Sequence, residues 1–120
     1  MSLLADANEA LVDERFDAAL RLFTAALATQ KTATVLLRRA TCSEKLGRFH
    51  HAVEDADAAI VLEPNNDKAH MRRALALFAA GEFTSALSSF AAAQRLQPSA
   101  VLESWMIQCK EKAATMELTS

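Results

Sequence analysis

Tyrosine is absent from this sequence, and glycine, proline and cysteine occur only twice each in 120 residues. Two isolated glycines exclude a glycine-rich phosphate loop, which needs several of them within one turn. The cysteines, Cys42 and Cys109, lie far apart. They read as reduced thiols used as small apolar residues, the habit of cytoplasmic and nuclear proteins. No apolar stretch approaches the ~20 residues that span a bilayer, so no membrane span is expected. The opening Met1-Ser2-Leu3-Leu4-Ala5-Asp6 lacks a basic stretch and meets an acid too early for a secretory leader. With 13 basic and 15 acidic residues the net charge is −2, which gives no global field toward nucleic acid or anionic lipid. What remains is abundant: hydrophobic residues make up 52%, much of it alanine, with aromatics at only 6%. Alanine loses no side-chain entropy in a helix and strand formers are sparse, so the chain is expected to be all-α.

The scarce residues are regularly spaced. Gly47 and Gly81 are 34 apart, and so are Pro64 and Pro98. Phe49 and Phe83 repeat that interval, with Phe16 standing 33 before Phe49. Ala19, Ala52 and Ala86 keep the register, as do Ala26, Ala59 and Ala93, while Phe23 and Phe90 share a position filled by Ala56 in the middle. The physical reading is a repeated helix pair. Gly47 and Gly81 close the first helix of a pair in a left-handed conformation, Phe49 and Phe83 open the second, and Pro64 and Pro98 stop it. Helices are expected near 2–13, 16–29, 33–46, 49–62, 67–80 and 83–96. In the first unit Glu14 stands where the others have glycine, and Lys31 where they have proline. A period of about 34 built from helix pairs resembles the tetratricopeptide repeat.

After Pro98 the pattern changes. Leu102, Trp105, Met106, Cys109, Ala113 and Met116 fall three or four apart, one apolar face of a helix that would cap the last pair, with Trp105 as core anchor. Residues 1–120 thus read as one domain, with repeats at about 2–32, 33–66 and 67–100 and a capping helix at about 100–117. The resemblance implies a right-handed superhelical solenoid.

No constellation for catalysis, metal or cofactor stands out, so the reading is not an enzyme. The adjacent His50 and His51 point about 100° apart on a helix, which chelates one ion poorly, and His70 reads as a packed histidine. The informative surface is the concave one, made by the first helix of each pair. It takes Leu4, Asn8 and Leu11 from the first unit, Leu37, Arg38, Thr41 and Lys45 from the second, and Lys68, Met71, Arg72, Leu75 and Phe78 from the third. Arg38, Lys68 and Arg72 form a basic cluster beside an apolar floor of Leu37, Met71, Leu75 and Phe78. That combination suits an acidic peptide with hydrophobic anchors, and Glu44 is placed to neutralise one of the cations.

Two resemblances refine the expectation. One subgroup of the tetratricopeptide family uses a dicarboxylate clamp for the acidic C-terminal tails of heat-shock chaperones. Asn8, Lys68 and Arg72 match its pattern, whereas Leu4 replaces a lysine and Arg38 an asparagine. Across the whole chain the sequence is similar to the N-terminal domain of the suppressor-of-G-two-allele-of-Skp co-chaperone family. The features are Ala52-Val53-Glu54-Asp55-Ala56-Asp57, Leu62-Glu63-Pro64-Asn65-Asn66 and Trp105-Met106-Ile107-Gln108-Cys109-Lys110-Glu111. That likeness implies the N-terminal part of a cytoplasmic, or also nuclear, adaptor. Its partners would be proteins, a Skp-type ubiquitin-ligase subunit or a chaperone complex, with neither nucleic acid nor membrane. The competing readings are a working clamp, or a structural module that self-associates as a weak homodimer.

Overall fold

The computed structural model describes residues 2–119; Met1 and Ser120, the ends of the expected 1–120 domain, lie outside the described residues. Among the described residues there are seven helices and no strand: α1 Leu3–Val12, α2 Phe16–Leu27, α3 Ala33–Lys45, α4 Phe49–Leu62, α5 Asp67–Ala79, α6 Phe83–Leu96 and α7 Ala100–Thr119. Consecutive helices pack on one another and α3 also touches α5. The result is a rod-like stack of 52 × 28 × 22 Å.

The helix ends follow from local chemistry. Ser2, Thr32 and Asn66 cap α1, α3 and α5, each accepting a backbone N–H from the first turn. Between the helices of a pair the chain turns in the same way in every unit. Gly47 N–H donates to Glu44 O and Arg48 N–H to Ser43 O, at 3.0 and 2.8 Å. Gly81 and Glu82 repeat this with Phe78 and Leu77, as do Glu14 and Arg15 with Leu11 and Ala10. All three turns need a left-handed residue, with φ of 78° at Gly47, 83° at Gly81 and 58° at Glu14. The long second helices α4 and α6 end at Leu62 and Leu96, because Glu63 and Gln97, the residues before Pro64 and Pro98, are pushed out of the helical region.

Alanine sets the packing distance. Ala19, Ala52, Ala86, Ala56 and Ala59 are fully buried, so facing backbones approach closely and leave no void for a larger group. The large side chains concentrate at the two ends of the stack. Phe23 anchors a cluster with Ala7, Ala19, Val35 and Cys42. At the other end Phe90 packs with Leu77, Leu102 and Cys109. The middle is small: Ala40, Ala52 and Ala76, with Val53 beside them.

Helix α7 closes the far end. Leu102 and Cys109 are buried, and the Trp105 ring stacks on Phe90 at 5.5 Å and meets Phe78 edge-on at 5.0 Å. The apolar face read from the sequence is seated only in part, because Met116 remains 52% exposed. At 20 residues α7 is longer than the 14-residue α6 on which it packs.

Candidate functional site

The first helices of the pairs, α1, α3 and α5, supply one face of the stack. Leu37, Arg38, Lys68, Met71 and Arg72, all expected groove residues, meet around one pocket of about 440 Å³ between α3 and α5. Thr34, Thr41 and Asn66 complete its wall. Asn8 joins from α1, because its Oδ1 accepts a hydrogen bond from Arg38 Nη1 at 2.7 Å. Thr41 is turned into its own helix, its hydroxyl donating to Leu37 O at 3.1 Å. Asn66 fixes the start of α5 by accepting the Lys68 N–H at 3.0 Å.

The three cations are held differently. Arg72 Nη1 lies 3.0 Å from Glu44 Oε2, and both side chains are at least two-thirds covered. Arg38 is oriented by a neutral amide, which fixes its position without cancelling its charge. No acid pairs with Lys68 among the described residues. Three positive groups and one negative group leave a local excess of two positive charges beside the aliphatic surface of Leu37 and Met71.

Leu75 and Phe78, also expected in the apolar floor, do not line this pocket. Both pack against the cluster around Phe90 and Leu102, and the Phe78 ring sits edge-on to Phe83 at 5.1 Å as well as to Trp105. They follow Met71 on the same stripe of α5, but the indole from α7 covers that end of the helix.

Two arginines that the groove argument passed over stitch the stack together. Arg39 forms a two-pronged pair with the buried Asp55, Nε to Oδ2 at 2.8 Å and Nη2 to Oδ1 at 2.7 Å, and also reaches Thr24. Arg73, 34 residues later, bonds Asp57 at 2.6 Å and Ser89 at 2.7 Å. Each therefore links the second helices of two successive pairs. The Asp55 carboxylate raises the Arg39 pKa by direct hydrogen bonding, against the opposing pull of burial. The signal was present in the sequence, since Arg39 and Arg73 obey the same interval as the glycines.

Other groups have quieter roles. Both thiols are buried, and loss of solvent pushes Cys42 up to about 11 and Cys109 upward as well. His70 Nε2 is 2.9 Å from Pro64 O. Among the described residues no cluster of His, Cys, Asp or Glu is arranged to hold a metal ion, and no helix is long and apolar enough to cross a membrane.

The family model described as "Tetratricopeptide repeat" matches residues 4–50 and 44–101. The chain belongs to the tetratricopeptide repeat family. A rice protein (Oryza sativa subsp. japonica) named "Protein SGT1 homolog" is 38% identical over 85 residues, which cover 70% of this tetratricopeptide chain and 23% of the rice protein. The chain thus spans about a quarter of that relative's length. In structure, the first tetratricopeptide domain of human RPAP3 superimposes with a TM-score of 0.91 at 21% identity, covering 98% of this chain and 94% of that one. The first such domain of Spaghetti (RPAP3), solved with the HSP90 peptide SRMEEVD, gives 0.88 at 21% identity and covers 93% and 90%. The likeness to SGT1 homologs agrees with the co-chaperone resemblance read from the sequence.

Proposed function

We propose that this chain is a non-catalytic protein-interaction module that binds an acidic segment of a partner protein in the groove formed by α1, α3 and α5. One observation carries the proposal: Arg38, Lys68 and Arg72 converge on a single open pocket with only Glu44 to offset them. Concentrated like charges beside an apolar surface are relieved by an anionic ligand that also buries an aliphatic side chain. The Spaghetti domain, of the same fold, holds a peptide with acidic residues, which supports the reading. The likeness to SGT1 homologs supports a cytoplasmic or nuclear co-chaperone adaptor, its partner a chaperone complex or a Skp-type ubiquitin-ligase subunit.

The clamp reading loses support, because Leu4 and Arg38 stand where a clamp has a lysine and an asparagine. A free chaperone tail such as SRMEEVD should bind this chain only weakly. The test compares partner capture by the wild type and by Lys68→Glu, with circular dichroism confirming equal helicity. Lys68 is exposed and engages no acid, so the fold has nothing to lose. Loss of the same bound proteins in Lys68→Glu and at raised salt is expected, since exposed charges are screened over about 8–10 Å at ordinary ionic strength. Equal capture would move the site away from the groove.

A further inference from the structure

We propose that the pocket between α3 and α5 recognises a phosphorylated serine or threonine in the partner segment. The inference rests on the groove being the binding face; of three features of the pocket, its charge favours a phosphoryl group over a carboxylate, and its donors and remaining wall can seat one.

The first is charge. Arg38, Lys68 and Arg72 against Glu44 leave two positive charges. A phosphomonoester carries about −1.5 to −2 near neutral pH and so matches the excess, whereas a carboxylate matches half of it.

The second is donor geometry. A guanidinium presents a planar fork that meets two phosphoryl oxygens at once. Arg38 Nη1 is anchored on Asn8 at 2.7 Å, and its remaining N–H groups have no acceptor among the described residues. The anchor is neutral, so Arg38 is positioned in advance while its charge stays available. Lys68 stands on the adjacent helix at the rim of the same pocket, unpaired, with its backbone pinned by Asn66. Arg72 is fixed from behind by Glu44.

The third is the pocket's remaining wall. Thr34 adds a hydroxyl, and Leu37 and Met71 add an aliphatic surface for the residue beside the phosphate. The resulting recognition is a dianion on two forks and an ammonium, with an apolar neighbour.

The experiment uses the full chain and three fluorescein-labelled degenerate peptide pools. They are fixed at a central phosphoserine or phosphothreonine, at Glu, or at unmodified Ser or Thr, and binding is read by fluorescence anisotropy. The phosphorylated pool should bind at least about tenfold more tightly than the Glu pool, the effect of one added charge-assisted hydrogen bond. The unmodified pool should not rise above background. Arg38→Gln and Lys68→Gln should each remove about tenfold of that preference, and Arg38→Lys should restore it only in part because an ammonium has no fork. All variants must show wild-type helicity. Equal affinity for the phosphorylated and Glu pools would overturn the phosphoryl inference and leave the acidic groove standing. Failure of both charged pools to bind, or binding indifferent to Arg38→Gln and Lys68→Gln alike, would overturn the inference and the groove reading together.

Discussion

Glu14 takes the place that glycine holds in the other two inter-helix turns, at φ 58°. A left-handed backbone costs an L-residue about 1–2 kcal/mol, so Glu14→Gly should stabilise the chain. Glycine's larger unfolded-state entropy trims the gain to about 0.5–1 kcal/mol, readable as a higher urea midpoint at unchanged slope. The reverse change is a control. A Cβ built on Gly47 meets nothing within 4 Å, so Gly47→Ala should lose the backbone strain less the same unfolded-state entropy, about 0.5–1 kcal/mol. The register of the repeat disclosed that Glu14 occupied a glycine slot. It did not disclose whether the turn would persist there, because that depends on the hydrogen bonds of Glu14 and Arg15 outweighing the strain. Cys42 supplies a second residue-level prediction. Its folded pKa, about 11, lies above the ordinary value of 9.0. The unfolded thiol therefore ionises first as pH rises, and the stability from keeping it neutral is complete below pH 9 and lost on the way to about 11. Urea midpoints should fall across that window in the wild type and fall less in Cys42→Ala.

Between elements, the arginine links make a sharper distinction than their matching spacing suggests. Arg39 meets an aspartate whose side chain is 8% exposed, while the Arg73 partner Asp57 is 52% exposed. Removing Asp55 strands a covered guanidinium, so Asp55→Ala should cost about 2–3 kcal/mol, somewhat under the ~3–5 of a fully buried pair. Asp57→Ala should cost about 0–1 kcal/mol, as exposed pairs do, with Ser89 still holding the arginine. Equal losses in thermal unfolding would show that exposure does not govern these links. The helices themselves were legible nearly to the residue, because glycine, proline and phenylalanine mark their ends. The pocket was legible in part. Met71, Leu75 and Phe78 share one stripe of α5, and no local pattern separates its open end from the end that Trp105 covers. Only packing between α5 and α7 decides that.

For the whole molecule, solubility is expected to depend on α7. Removing residues after Pro98 would uncover Phe78, Leu77 and Phe90 together, an apolar patch that invites association. Light scattering should report aggregation of that truncated chain, and a monomer with an unchanged melting temperature would contradict it. Trp105→Ala leaves the helix in place. It should cost about 2–3 kcal/mol, less than the ~3–5 of a fully enclosed aromatic, because the indole is half-buried. The succession of helices, each resting mainly on its neighbour in sequence, also bears on time. Native contacts join segments that are near one another along the chain, so little loop-closure entropy stands before the first of them. Such low contact order places a domain among those that fold in microseconds to milliseconds. Most of the refolding signal should accordingly vanish within the mixing time of a stopped-flow instrument, and temperature-jump relaxation is the method that would resolve it.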